Sequence, residues 1–85
     1  MKVRLLYFAR LREAFGMAAE EVALPDEVRD VGALSQWLRD RGGAWAAELA
    51  PGRAYRVAID QQMAGETTRL HEGAEVAVFP PVTGG

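Results

Sequence analysis

Eighty-five residues suffice for one small domain and not for two, and at this size only about 60–65% of the unfolded chain's surface is buried, which leaves a thin core. Hydrophobic residues at 49% and charged residues at 26% match an ordinary globular composition and exclude a disordered chain. A net charge of −2, from 10 basic and 12 acidic residues, excludes the basic footprint of a nucleic-acid binder and a polybasic membrane patch.

There is no cysteine and only one histidine, His71. Disulfides, thiolate nucleophiles, iron–sulfur ligation and thiolate zinc sites are thereby excluded, as is a His-pair metal site. No apolar run reaches the roughly 18–20 residues of a membrane span. The opening Met1–Tyr7 mixes charge into its apolar run and lacks the layout of a cleavable signal. A soluble, cytoplasmic protein is expected, with no nucleic-acid or membrane partner.

In chain order, Lys2 to Ala9 reads as a strand rich in Val, Leu, Tyr and Phe; both alternating sets, Val3, Leu5, Tyr7 and Arg4, Leu6, Phe8, are partly apolar, which suggests a central strand covered on one face and half wet on the other. Arg10 to Phe15 predicts a short helical turn closed by Gly16. Glu20 to Leu24 predicts a second strand, ended by Pro25-Asp26. The main helix is expected over Val31 to Arg41. Asp30 supplies its N-cap, Val31, Leu34, Leu38 and Arg41 form one stripe, and Gly42-Gly43 provide the exit. A second short helix is expected over Ala44 to Leu49, stopped by Pro51-Gly52.

Tyr55 to Asp60 alternates as a strand with Val57 and Ile59 on one side. Gln61 to Leu70 reads as a polar loop with a short edge strand around Met63, and His71-Glu72-Gly73 as a tight turn. Glu75 to Phe79 is the last strand, Val76 and Val78 inward, Glu75, Ala77 and Phe79 outward. One substantial helix and five strands bury most surface when the helix lies across one face of a mixed sheet. The expected fold is α+β, a β-grasp domain over residues 1–79 with the last strand beside the first, followed by a tail over 80–85.

That tail, Pro80-Pro81-Val82-Thr83-Gly84-Gly85, holds two of the four prolines and two of the nine glycines. Each proline fixes φ near −65° and holds the exit extended, so six residues reach about 20 Å. A backbone without side chains at Gly84 and Gly85 passes where a Cβ would clash. Its reactive group is the α-carboxylate, ionised and a poor electrophile at neutral pH. An external enzyme using ATP would convert it to an acyl-adenylate. Attack by a persulfide sulfur then leads to a thiocarboxylate, and attack by an amine to an amide.

The block Val57-Ala58-Ile59-Asp60-Gln61, the run Gly73-Ala74-Glu75-Val76-Ala77-Val78-Phe79-Pro80-Pro81-Val82-Thr83-Gly84-Gly85 and the opening Leu6-Tyr7-Phe8-Ala9-Arg10-Leu11-Arg12-Glu13 resemble the small subunits of molybdopterin synthase, ubiquitin-like sulfur carriers. The final Phe-Pro-Pro-Val-Thr-Gly-Gly run is the most specific part. Asp60 stands where that family commonly has Asn, and Ala74 where it commonly has Asp.

The resemblance implies a β-grasp fold and a non-catalytic, sulfur-donating role without a self-contained active site. A ubiquitin-activating-type enzyme would adenylate Gly85, and a sulfur donor enzyme would convert it to a thiocarboxylate. The tail would then enter the large subunit of molybdopterin synthase and give sulfur to a cyclic pyranopterin precursor, in a heterotetramer. ATP belongs to the activating enzyme, and no cofactor is expected on this chain.

Leu6, Phe8, Ala58, Ala77 and Phe79, joined by Met63, are expected on the outer sheet face as a docking patch. With Pro80, Pro81, Val82 and Thr83 these complete the expected partner-binding set, while Gly84 and Gly85 carry the chemistry. His71 reads as a solvated turn residue, Trp37 and Trp45 as packing residues, and the arginines 10, 12, 39, 41, 53 and 56 as solvated surface. Other readings stay open: a carrier for thiamine or tRNA thiolation, a ubiquitin-like modifier of lysines, or an interaction domain with an incidental Gly-Gly end.

Overall fold

The computed structural model describes residues 1–81. Five strands form one mixed sheet: β1 (Lys2–Tyr7), β2 (Ala19–Ala23), β3 (Arg56–Ile59), β4 (Gln62–Ala64) and β5 (Glu75–Phe79), in the spatial order β2-β1-β5-β3-β4. β1 and β5 run parallel, and every other pairing is antiparallel. Three helices complete the described residues: α1 (Ala9–Phe15), α2 (Val31–Arg39) and α3 (Gly43–Glu48). The expected β-grasp arrangement holds, with the last strand beside the first.

Alternation along the strands sends Val3, Leu5, Tyr7, Val57, Ile59, Val76 and Val78 to the helix side, where they join Leu11, Leu34, Leu38 and Leu49 in the core. Leu5 and Val76 are fully buried. At about 25 cal/mol per Å2 of apolar surface, each such side chain stabilises the fold by roughly 1.5–3 kcal/mol.

The long β1–β2 connection is filled by α1. Gly16 ends this helix in the left-handed region at φ 71°, donating its amide to the Arg12 carbonyl at 3.0 Å.

α2 starts where the Asp30 carboxylate accepts the Ala33 amide at 2.8 Å. It stops two residues short of the expected end. The Arg41 and Gly42 amides bond to the Leu38 and Arg39 carbonyls, a tightening to i→i−3 before Gly42 turns at φ 78°. Arg41 therefore leaves the stripe on which periodicity places it. Early in α2, Gly32 lets the Glu66 carbonyl approach: a Cβ there would sit 3.3 Å from that oxygen, which accepts the Gly32 amide at 2.9 Å.

β3 and β4 are joined by Asp60 and Gln61 alone, both at positive φ (49° and 70°). Positive φ at both central residues matches the twist of a two-residue hairpin. The short edge strand expected around Met63 is β4, and its entry is this immediate hairpin rather than a loop, unsignalled because neither residue is glycine.

Candidate functional site

β5 runs upward beside β1, so the chain's exit at Phe79-Pro80 lies next to Tyr7 and Phe8, and the Phe8 amide reaches the Val78 carbonyl at 3.3 Å. Pairing across the sheet aligns Ala19, Leu6, Ala77, Ala58 and Met63 in one row on the face opposite the helices. The next row, toward the exit, brings Phe79 opposite Arg56 and beside Phe8. Phe8 is 47% and Met63 64% exposed, the large apolar side chains with the greatest exposure among the described residues. Leu6, Ala77 and Phe79 are half-buried. Ala58 is buried yet lies outside the helix-side core, between Ala77 and Met63 on the outer row.

Of the expected patch, Phe8 and Phe79 thus adjoin at the exit, while Met63 lies on the same face two strands away, with Ala58 and the exposed Arg56 between. α3 packs on the other side, where Trp45 stacks on Phe15 at 3.8 Å between ring centroids. Pro80 and Pro81 are half-buried at the foot of the tail, lining with Arg10, Gly52, Arg53 and Ala54 a notch of about 550 Å3. Val82, Thr83, Gly84 and Gly85 lie outside the described residues.

Several arginines expected as solvated surface are tied down instead. Arg10 Nε and Arg53 Nη2 both donate to Oε1 of Glu48 at 3.1 Å, and Arg10 Nη2 donates to the Ala54 carbonyl at 3.0 Å. Arg39 Nη1 caps the Leu49 carbonyl at 3.0 Å. Arg41 grips Glu20 with both Nη atoms, at 2.8 and 3.1 Å, and its guanidinium lies over Trp45 at 4.4 Å and Trp37 at 5.0 Å.

The same Glu20 accepts the Tyr7 hydroxyl at 2.7 Å. Burial first, then the bond to the Glu20 carboxylate, push the Tyr7 phenol far above its ordinary range. Burial alone would raise Glu20, but the hydrogen bonds from Arg41 and Tyr7 and the Arg41 charge outweigh it and hold the carboxyl below its usual value. This network locks α3 and the C-terminal end of α2 to the sheet and offers no nucleophile or proton relay.

His71 is exposed in its turn, as expected, yet partnered. Its Nε2 lies 2.6 Å from Asp60 Oδ2, while Asp60 Oδ1 accepts the Glu75 amide at 3.0 Å. That amide bond, then the imidazole, lower the Asp60 carboxyl, and the Asp60 bond in turn raises His71. An Asn at position 60 would keep the amide bond and lose the ion pair. Among the described residues no group of three or more His, Cys, Asp or Glu side chains is placed to hold a metal, and no helix is long and apolar enough to cross a membrane.

Sequence reasoning missed the Arg10–Glu48–Arg53 clamp at the tail's foot. Its partners lie 38 and 5 residues apart along the chain, and no local pattern joins them.

The ThiS family pattern matches residues 5–85. Curated relatives include the molybdopterin synthase sulfur carrier subunits of Escherichia coli, 39% identical over 98% of this chain and 99% of the relative, and of Haemophilus influenzae, 36% identical over the same shares. Among solved structures, a putative molybdopterin converting factor subunit 1 from Pyrococcus furiosus superposes with a TM-score of 0.80 at 28% identity, covering 96% of this chain and 99% of that one. SAMP1 from Haloferax volcanii superposes at 0.81 and 26% identity over the whole of both chains. A complex of subunits 1 and 2 of the Helicobacter pylori molybdopterin-converting factor shares the fold at 0.67 and 19% identity over both full chains. End-to-end identity to curated relatives, the five-stranded β-grasp sheet and the family match agree: the chain belongs to the ThiS family, alongside the molybdopterin synthase sulfur carrier subunits.

Proposed function

We propose that this protein carries sulfur on its C-terminal carbonyl for molybdopterin synthesis. The Gly85 carboxylate attacks the α-phosphorus of ATP on a ubiquitin-activating-type enzyme, and pyrophosphate leaves. A persulfide sulfur of a donor enzyme then attacks the acyl-adenylate carbonyl, AMP leaves, and a donor thiol cleaves the resulting acyl disulfide to free the thiocarboxylate. The chain next docks on the large subunit of molybdopterin synthase, where the thiocarboxylate sulfur of Gly85, threaded behind the side-chain-free Gly84, attacks an electrophilic carbon of the cyclic pyranopterin precursor and displaces an oxygen. Water then cleaves the resulting thioester to return the Gly85 carboxylate. Pro80, Pro81, Val82 and Thr83 line the path of insertion.

The observation that carries this reading is the apolar outer face, with Leu6, Ala77, Ala58 and Met63 on one row and Phe8 beside Phe79 on the next, at the point where the chain leaves the sheet. A docked partner covering this face receives the tail at its margin, so a single surface both binds and aims. The absence of cysteine suits a carrier loaded at its terminal carbonyl.

Reconstitution with the large subunit, the precursor, the activating enzyme and a sulfur donor tests it. Intact mass should rise by the exchange of one carboxyl oxygen for sulfur. Deleting Gly85 should abolish molybdopterin formation and leave thermal unfolding unchanged. An unmodified mass under every condition, or a ladder of protein conjugates in its place, would overturn the proposal.

A further inference from the structure

We propose that Arg10, Arg53 and Arg56 form a basic collar around the foot of the tail, docking against an acidic rim at the mouth of the large-subunit channel that receives it. The inference rests on the sulfur-carrier reading above and adds to it the charge of the partner's rim.

Glu48 Oε1 takes two guanidiniums at once, Arg10 and Arg53, at 3.1 Å each. One carboxylate cannot neutralise both, so a positive charge is left over beside Pro80 and Pro81. That charge is also held in place, since Arg10 is fixed a second time by the Ala54 carbonyl. Less side-chain freedom is then lost when a partner binds.

Arg56 adds a third cation on the outer face itself. It pairs with Phe79 across the sheet, and because Val57 points into the core, Arg56 points outward. It is exposed and forms no ion pair with any described residue. Glu66 lines a neighbouring groove of about 330 Å3 with Arg53 and Arg56, and pairs with neither.

At the opposite end of β5 stand three carboxylates, Asp60, Glu72 and Glu75: Arg4 pairs in register with Glu75, His71 bonds Asp60, and the Lys2 backbone amide donates to Glu72, so no positive surplus lies there. The surplus of positive charge along this strand thus lies where the tail leaves, in a chain whose net charge is −2. An acidic rim at the channel mouth draws in this end first and brings the tail to the opening.

The test is the association rate of the full chain with the large subunit, measured by stopped flow at about 50 mM and about 500 mM salt, a range over which exposed charges become largely screened. The wild-type rate should fall about tenfold across it. The double variant Arg10→Glu/Arg53→Glu should bind about tenfold more slowly at low salt and lose most of the salt dependence. Arg56→Glu, which breaks no ion pair among the described residues, should slow association about threefold and carries the test if the double variant fails to fold. Wild-type binding that ignores both salt and charge reversal overturns the collar alone. Failure of the wild-type chain to bind the large subunit at any salt overturns the sulfur-carrier reading itself.

Discussion

On β1, Val3, Leu5 and Tyr7 point at the helices and are at most 1% exposed, while Leu6 on the other face is only half-buried and Phe8 just beyond it is 47% exposed. Both sets come from one stretch of sequence, and Leu6 and Phe8 are as apolar as the buried three. They differ in what covers them: three helices seal one face, and the other is open. Hydrophobicity on the sealed face holds the fold together. On the open face it does nothing for the isolated chain, and the docking proposed above gives it a use, since exposed apolar side chains cost solubility.

The sharpest way to break this comparison is to truncate one residue on each face. Leu5→Ala removes a fully buried side chain between β2 and β5 and should cost about 3 kcal/mol, the usual toll of a core cavity. In a domain of this size that lowers the unfolding midpoint by more than about 10 °C. Phe8→Ala should change stability by less than about 1 kcal/mol, because much of the ring is already in water. Its effect should fall on affinity for the large subunit instead, about tenfold or more, with Phe79→Ala behaving alike. Calorimetric titration beside thermal unfolding separates the two; equal destabilisation by Leu5→Ala and Phe8→Ala would erase the distinction between the faces.

The legible part of this molecule was the part encoded locally. Alternation in Glu75–Phe79 named the inward and outward residues correctly, and Asp30 announced the start of α2 because a cap acts within three residues of itself. Long-range polar contacts left no such trace. Arg41 fits the helical stripe by spacing, yet a carboxylate 21 residues away claims it and the helix ends sooner. Asp60-Gln61 makes a tight hairpin without the glycine that usually advertises one. The clamp on Glu48 draws on α1, α3 and the loop before β3, elements whose proximity only the fold decides. On the outer face, strand parity placed Phe8 and Phe79 and a flexible thioether on the edge strand added Met63; all three stand on that face at least partly exposed, whereas the charges beside them left no such trace.

A smaller effect sharpens the sealed side. Tyr7→Phe keeps the ring against Phe15 and Trp45 and removes only the hydroxyl bonded to Glu20. Arg41 still satisfies that carboxylate through two bonds, so the loss should be about 1 kcal/mol, read as a fall of roughly 4–8 °C in the unfolding midpoint. A loss of several kcal/mol would mean that the Glu20–Arg41 pair depends on the hydroxyl to hold its geometry.

The smallest expected effect lies at the far end of the open face, in the exposed pair of His71 and Asp60. His71 is raised above its ordinary 6.5 by its bond to Asp60, so the stability it contributes is complete below pH 6.5 and is lost as pH rises through the raised value. Asp60 is lowered from 3.8, chiefly by the Glu75 amide, so its contribution is complete above that pH and is lost as pH falls through the lowered value. The pair therefore ties the β3–β4 turn to the start of β5 most firmly between these two ordinary values, and loosens on either side. A proton NMR titration of the single imidazole should give a midpoint above 6.5 in the wild-type chain. In Asp60→Asn the Glu75 amide keeps an oxygen acceptor while the opposing charge is gone, and the midpoint should fall back toward 6.5. Because the pair stands at the opposite end of β5 from Phe79, Asp60→Asn should leave the affinity for the large subunit as it was, whereas substitutions at Phe8 or Phe79 should not.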